Sequence, residues 1–266
     1  MKSAVSRVVA AVSVVAALGA SAACSSSGDD DAGKPSKPRA RVGSAALEKA
    51  ALTAGDIKGY KVETPKASEG SKGPGPGKAS PTECGPLAAM LASASASAAG
   101  AGAGAGVGVG TGGSAKAHVD RVLTPTDDKD FTTTGVGLSA YAEADAKQTM
   151  KDLRTASTSK KCAAFRVGEQ RYLGVKSMSA PEGEGDEAVS YKIAHRNGEF
   201  VVRESVTVVR SGSTLAVFDA SNLYDPEGVQ SDKEAERNGM DGIGAPTADE
   251  DPKVAPEIVD AQLGKL

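Results

Sequence analysis

The chain is poor in the side chains on which catalysis most often depends. Its 266 residues include no Trp, only nine Phe and Tyr, and two His, His118 and His195. Neither histidine lies near a nucleophile motif, and the sequence contains no G-x-S-x-G, no H-E-x-x-H and no context for a catalytic Cys. We therefore expect no enzyme and no catalytic residue, with both histidines in strands, either hydrogen-bonded or exposed.

Signals for nucleic acid and for metal are also lacking. No basic patch is interleaved with aromatic residues, which excludes the usual nucleic-acid interfaces. Acidic clusters occur at Asp29–Asp31, Glu182–Glu187 and Asp249–Pro252. None has the alternating oxygen ligands, central Gly and distal Glu of a calcium loop. We expect solvated turns and a solvated tail, with no metal and no cofactor.

The longest uncharged stretch near the N-terminus, Val8–Ala23, is short for a membrane span. Lys2 and Arg7 precede it and "GASAAC" ends it, which is typical of a secretory signal. The four small residues before Cys24 also fit a permissive lipobox. We predict a signal peptide over residues 1–23, a diacylglycerol on Cys24, and a lipid-anchored protein on the extracytoplasmic face of the cell membrane. The alternative is ordinary cleavage that leaves Cys24 unmodified.

Only three cysteines are present, an odd number for an exported protein. Lipidation of Cys24 leaves Cys84 and Cys162, for which we predict a disulfide in an oxidising compartment. Closing a loop of about 80 residues stabilises a fold by roughly 4 to 4.5 kcal/mol in the chain-entropy account. A zinc or redox pair would need close-spaced Cys or His partners, and none is present.

The remaining sequence divides by composition. Residues 24–43 predict a disordered tether, and residues 44–224 predict a folded domain whose first helix has Ser44 as N-cap. Strand alternation surrounds one clear helical segment, and Asn197–Gly198 and Ser211–Gly212 predict hairpin turns. The order indicates an α+β domain, an antiparallel sheet flanked by helices. Residues 225–253 predict an acidic Gly/Pro-rich linker, and residues 254–266 a C-terminal helix packed on the domain.

The stretch "AGAGAGAGVGVGTGG" contains Gly108, Gly110 and Gly113 in G-x-G-x-x-G spacing. A dinucleotide-binding turn must follow a strand and open a helix, because the helix N-terminus holds the pyrophosphate. Here an Ala/Ser run precedes the glycines and a strand pattern follows them. We therefore interpret residues 92–114 as a long disordered low-complexity loop.

Several segments in order resemble a family of actinobacterial surface lipoproteins of Streptomyces type, which is distantly similar to the extracellular sensor domain of the kinase PknH. They are "ALTAGDIKGYKV", "ECGPLAAML", "EADAKQTMKDLRTASTSKKCAAF", "GDEAVSYKI", "VVRSGSTLAVF" and "PEIVDAQLGKL". The resemblance implies a helix-flanked antiparallel sheet, a disulfide between Cys84 and Cys162, and a last helix that belongs to the domain. It supplies no ligand-contacting residue and no kinase-coupled signalling.

The function expected from these observations is a non-catalytic, sensor-like or ligand-binding module for a small or lipidic molecule. The alternative is a structural or accessory partner of a cell-envelope protein. A cavity of several hundred cubic ångströms would favour the first, and an exposed apolar patch the second.

Lipidation makes a direct prediction. Replacing Cys24→Ala removes the acceptor thiol, so we expect the protein to leave the membrane fraction for the soluble fraction, which immunoblotting of fractionated cells will detect. Unchanged membrane association of the variant would contradict the assignment of Cys24.

Overall fold

The domain is seen in a computed structural model that describes residues 43–65, 78–99, 115–181, 185–242 and 244–266. The predicted signal peptide, Cys24 and the tether up to residue 42 lie outside these ranges, as do residues 100–114 of the predicted loop. None of the helices within the described ranges is long and apolar enough to cross a membrane.

Nine antiparallel strands form one sheet in the order β1-β3-β4-β9-β8-β7-β6-β5-β2. They are β1 Tyr60–Glu63, β2 Ala79–Ser80, β3 Ala117–Pro125, β4 Thr133–Ala140, β5 Ala164–Val167, β6 Gln170–Met178, β7 Glu187–Asn197, β8 Phe200–Ser211 and β9 Thr214–Tyr224. The helices are α1 Ser44–Ala50, α2 Gly85–Ala99, α3 Glu143–Thr158, α4 Pro226–Arg237 and α5 Pro256–Leu263. The predicted α+β class is confirmed.

Each face of the sheet carries its own apolar core. Helices α2 and α3 cover the first face, and α1 and α5 cover the second. Large side chains of the first core are Leu87, Met90, Leu91, Met150, Leu153, Tyr191 and Phe165. Those of the second core are Leu47, Leu52, Leu123, Leu138, Phe218, Ile258 and Val259. Because successive residues of a strand point to opposite faces, the central strands are apolar on both sides over part of their length.

The disulfide joins two single 3-10 turns, Thr82–Cys84 and Lys160–Cys162. Both cysteines are fully buried in the first core, and they lie 78 residues apart in the chain. The predicted pair is therefore confirmed. It ties the start of α2 to the end of α3, the two helices that cover the first face.

The long hairpins β7–β8 and β8–β9 form near the predicted places, but each turn lies one residue later. The turn residues are Gly198–Glu199 and Gly212–Ser213, since Asn197 pairs with Phe200 and Ser211 with Thr214. Gly198 and Gly212 have φ of 62° and 60°. A left-handed backbone at the first turn position favours glycine there, which explains the shift.

Three sequence-based boundaries are wrong. Gly43, not Ser44, is the N-cap of α1. The predicted loop over residues 92–114 begins too early, because α2 continues to Ala99. The predicted linker over residues 225–253 contains α4, which Asp225 caps by accepting a hydrogen bond from the Glu227 amide. None of the α4 residues is buried, so this helix lacks the apolar stripe that sequence analysis detects.

Two of the acidic clusters are not merely solvated. Asp186 and Glu187 each lie 2.6 Å from the guanidinium of the buried Arg210. Asp251 lies 3.0 Å from the guanidinium of Arg203, which is also buried. These carboxylates neutralise arginines that the sheet holds away from water, so the expectation of solvated turns is wrong for them.

The C-terminal helix docks on the second face through a buried glutamine. Gln262 is fully buried, accepts a hydrogen bond from the Leu52 amide at 3.2 Å and donates one to the Ala50 carbonyl at 2.7 Å. Ile258 and Val259 are buried beside it. These contacts fix α5 against the end of α1.

Candidate functional site

The first face of the sheet changes from apolar to polar along β7, β8 and β9. Val206 of β8 pairs with Tyr191 on one side and Asp219 on the other, so these side chains form one row across the face. Glu204 lies two residues from Val206 and therefore projects from the same face in the next row. His195 of β7, which pairs with Tyr172 of β6, follows one row further on. Tyr172, Tyr191, His195, Glu204 and Asp219 are called the polar cluster below.

The polar cluster is buried without being hydrogen-bonded. Glu204 is 7% exposed, Asp219 8% and Tyr191 0%. Four of its atoms are buried and have no hydrogen-bond partner: Glu204 Oε2, Asp219 Oδ1, the Tyr191 hydroxyl oxygen and His195 Nδ1. His195 Nδ1 lies 3.6 Å from Glu204 Oε2, an ion-pair contact when the histidine is protonated but too long for a hydrogen bond. Such atoms are uncommon in folded proteins, and in a native structure they indicate a missing partner such as water or a ligand.

Burial and like charge act together on the titration of the cluster. Burial, and then the neighbouring Glu204 carboxylate, raise the pKa of Asp219 well above its ordinary value. Burial, Asp219 and Glu204 likewise raise the pKa of Tyr191. The pKa of Tyr172 rises to about 12 by burial and by the charges of Glu204 and Asp219. The two carboxyl groups therefore act on both tyrosines, and together they disfavour a second negative charge.

No Lys or Arg within the described ranges forms an ion pair with Glu204 or Asp219, and the basic contact of Glu204 there is His195 at 3.6 Å. The two arginines of β8 are paired elsewhere, Arg203 with Asp251 and Arg210 with Asp186 and Glu187. Helix α3 turns Met150, Leu153 and other small or apolar side chains toward the sheet. The cluster is consequently acidic and lies at the edge of an apolar core.

Aromatic rings of Phe165, Tyr172 and His195 pack against one another at one side of the polar cluster. Phe165 and Tyr172 stack with ring centroids 5.2 Å apart, and Tyr172 and His195 are tilted at 60° with centroids 5.3 Å apart. Aromatic faces carry partial negative charge and attract cations. The aromatic side thus reinforces the negative potential of the carboxyl groups.

Beyond the cluster, toward the β7–β8 turn, the same face becomes apolar and open to solvent. Val202 pairs with His195 and with Leu223, and Phe200 lies two residues before it on β8. Phe200 is 38% exposed and Leu223 43% exposed. Phe200, Val202 and Leu223, called the apolar rim below, lie between the polar cluster and the solvent.

A second polar group lies on β3 and β4 of the same face. His118 Nδ1 is 2.7 Å from Ser139 Oγ, and His118 Nε2 is 2.7 Å from Asp120 Oδ1. A serine, a histidine and a carboxylate in line are the components of a hydrolase triad. Ser139, however, is only 4% exposed and pairs with β3 on one side and β9 on the other, so its oxygen is not open to solvent. We interpret the three residues as a buried hydrogen-bonded group.

Gly137 makes this arrangement possible. A Cβ at Gly137 would lie 3.2 Å from Asp120 Oδ1 and 3.3 Å from a carbon of the His118 ring. Both side chains therefore lean across the glycine on the neighbouring strand. His118 is hydrogen-bonded through Nδ1, as expected from the sequence, and within the described ranges its Nε2 has only the ion-pair contact with Asp120. His195 is a correction, because its buried Nδ1 has no hydrogen-bond partner among the described residues.

The second face holds a different feature, a cavity of about 320 Å³ between β6–β8 and the chain leading into α5. Its lining includes Met178, Pro181, Ser190, Thr207, Val254 and Val259. The Ser190 and Thr207 hydroxyls are 2.8 Å apart and bond to each other. This cavity has the size expected for a small-molecule site, but its central polar groups already have partners.

The residues described contain no group of three His, Cys, Asp or Glu side chains that could hold a metal ion. Sequence reasoning missed the polar cluster altogether. The signal was present, because Asp219 interrupts "LAVFDASNL" and Glu204 interrupts "VVRESVTVV" at positions that project from the same face as buried valines. Strand alternation identifies such positions only when the pairing partners are known.

Comparisons with known proteins give a distant likeness only. The extracellular domain of PknH from Mycobacterium tuberculosis is similar at 10% identity and a TM-score of 0.40, over 69% of this chain and 88% of that one. An uncharacterized protein from Mycobacterium smegmatis, the Rv0999 ortholog, is similar at 12% identity and a TM-score of 0.33, over 71% and 86%. No protein-family model and no curated protein sequence matches the chain. A surface-lipoprotein family thus stays a prediction from the sequence.

The raised pKa of Asp219 makes a prediction about stability. The folded domain holds this proton more tightly than the unfolded chain, whose aspartate pKa is near 3.8. The contribution of Asp219 to the free energy of unfolding is therefore greatest below that pH, and it is lost as the pH rises toward the raised pKa. Asp219→Asn removes this loss, so at pH 8 we expect the variant to unfold at a higher urea concentration than the wild type, with the smallest difference between the two proteins at pH 4.

Urea unfolding at pH 4, 6 and 8 measures the difference between the two proteins. Asp249→Asn, at an exposed aspartate, is the matched control and should follow the wild type. Equal pH dependence of the wild type and Asp219→Asn would contradict the burial of an uncompensated carboxyl group.

Proposed function

We propose that this chain is a membrane-anchored extracytoplasmic lipoprotein whose domain is a non-catalytic, sensor-like ligand-binding module. The ligand would sit on the first face of the sheet, over the polar cluster and the apolar rim. The observation that carries the proposal is the set of four buried, unpartnered polar atoms in the polar cluster, next to side chains exposed to solvent.

The unpaired atoms of the polar cluster destabilise the folded domain. A buried polar atom without a partner costs about 1 to 3 kcal/mol, and a charged one more. A small domain has a net stability of about 5 to 15 kcal/mol, so four such atoms take up a large part of it. A site that binds a ligand has a reason to keep these atoms unpaired, because the ligand then supplies the missing hydrogen bonds.

Three observations support binding over catalysis. The Ser139–His118–Asp120 group is buried among paired strands. The raised pKa of Asp219 follows from burial and one neighbouring carboxylate, and the polar cluster contains no Ser, Thr, Cys or Lys. The buried tyrosine hydroxyl and the carboxyl groups are suited to recognition by hydrogen bonds and charge.

The membrane anchor in this proposal rests on Cys24 and the uncharged run before it. The buried disulfide fits the same location, because disulfides persist in oxidising compartments outside the cytoplasm. A tether over residues 24–43 would hold the domain off the bilayer.

The proposal competes with that of a structural or accessory partner for an envelope protein. The other large exposed apolar side chains of the described residues lie on separate segments of the chain: Phe131, Leu173, Met240 and Leu266. Scattered apolar residues are normal on a protein surface and do not make an interface. The described surface therefore favours a ligand over a protein partner.

Native mass spectrometry of the full chain, purified from its own host, tests the proposal. We expect a bound small molecule whose occupancy falls at least tenfold in the isosteric variant Glu204→Gln and is unchanged in Asp249→Asn. A protein free of any bound molecule would overturn the proposal. Stoichiometric co-purification of another protein, without a bound small molecule, would favour the accessory role instead.

A further inference from the structure

We infer that the ligand is an amphipathic amine, with a protonated primary amino group held by Glu204, Asp219 and Tyr191 and an apolar body lying on the apolar rim. This inference rests on the proposed function and names the chemical class of its ligand. It joins two observations, buried oxygens without donors and exposed apolar side chains next to them on the same strands.

The charge of the cluster favours a cation. Glu204 and Asp219 project from neighbouring strands on the same face, and neither has a Lys or Arg partner within the described ranges. Bringing a positive charge between them removes their mutual repulsion and compensates for their burial. An anion would bring a negative charge next to two acidic side chains.

The titratable groups that face the pair are few. On β7 they are Tyr191 and His195, on β6 Tyr172, and across β4 the Asp120–His118 pair of β3. The side chains that α3 buries against this face are uncharged. The cluster therefore has two acids at its centre, and its only basic group is a histidine 3.6 Å from one of them.

The hydrogen-bonding capacity matches an ammonium group. Three oxygens are buried and unpartnered, Glu204 Oε2, Asp219 Oδ1 and the hydroxyl oxygen of Tyr191, which is itself 0% exposed. A primary ammonium has three N–H donors and no acceptor. A quaternary ammonium has no N–H group and would leave all three oxygens without donors. No group of three metal-ligating side chains occurs in the described part of the chain, which disfavours a metal ion.

The apolar rim sets the shape of the rest of the ligand. The row His195–Val202–Leu223 lies directly beyond Glu204, and Phe200 is the next residue outward on this face of β8. An alkyl chain attached to an amine in the polar cluster would run along these strands toward solvent. It would cover Phe200 and Leu223, which are otherwise 38% and 43% exposed.

Calorimetric titration of the full chain with four probes tests this assignment: n-hexylamine, n-propylamine, tetramethylammonium and hexanoate. We expect n-hexylamine to bind at least tenfold more tightly than n-propylamine, because three additional methylene groups are buried. Tetramethylammonium and hexanoate should bind at least tenfold more weakly than n-hexylamine. Affinity for n-hexylamine should rise with pH as the Asp219 carboxyl, whose pKa burial raises, loses its proton.

Substitutions in the polar cluster and in the apolar rim test the two parts of the site independently. Asp219→Asn should weaken both amines at least tenfold and remove the pH dependence, and Tyr191→Phe should weaken both by a smaller factor. Leu223→Ser should weaken n-hexylamine while leaving n-propylamine unchanged. Asp249→Asn should change nothing. Near-ultraviolet circular dichroism establishes that each variant keeps the native packing.

The inference would be overturned if hexanoate or tetramethylammonium bound as tightly as n-hexylamine. Unchanged amine affinity in Asp219→Asn would overturn it too. Calcium displacing n-hexylamine would also overturn it, in favour of a metal site. These outcomes contradict the amine as ligand and leave the proposed ligand-binding function standing. A neutral or anionic molecule found on the purified protein contradicts the amine alone, whereas a protein with no bound molecule and no affinity for any probe contradicts both.

Discussion

The two carboxyl groups of Glu204 and Asp219 share one face of a sheet, buried and without a Lys or Arg partner among the described residues, and this constraint governs how the domain can work. Burial of one ionised carboxylate is costly, and burial of two neighbouring ones is more so. The domain therefore holds at least one proton there in the absence of a ligand, or it binds something positive. In either state, the rest of the domain must be stable enough to offset the cost of burying these carboxyl groups.

That stability comes from the two cores on opposite faces of the sheet. The disulfide between Cys84 and Cys162 ties the start of α2 to the end of α3 over the first core. On the second face, Gln262 fixes α5 to the end of α1. The long strands β7, β8 and β9 pass between both cores and extend beyond them. Tyr172 and Tyr191 of the polar cluster lie within the first core, and the apolar rim occupies the extension, so the site is packed at one end and open to solvent at the other.

Predictions from the sequence were correct where the signal lies within a single element or motif. Periodicity and turn residues predicted α3, the strands and the antiparallel sheet, and cysteine counting predicted the disulfide. The predictions failed where the cause is tertiary. Helix α4 buries no residue and so resembled a linker, and Asp251 is neutralised by Arg203, a residue 48 positions away. The polar cluster was missed because its five members become neighbours only through the pairing of β6 with β7, β7 with β8 and β8 with β9.

The most direct measurement is a carbon-detected NMR titration of the Asp219 side-chain carboxyl in the full chain, free of ligand. Burial beside Glu204 predicts that this carboxyl is still protonated at pH values where ordinary aspartates are ionised, with a pKa well above 3.8. Titration of Asp219 near 3.8 would mean that water or a basic group already compensates its charge. The account of an unpartnered acidic centre awaiting a cation would then be wrong.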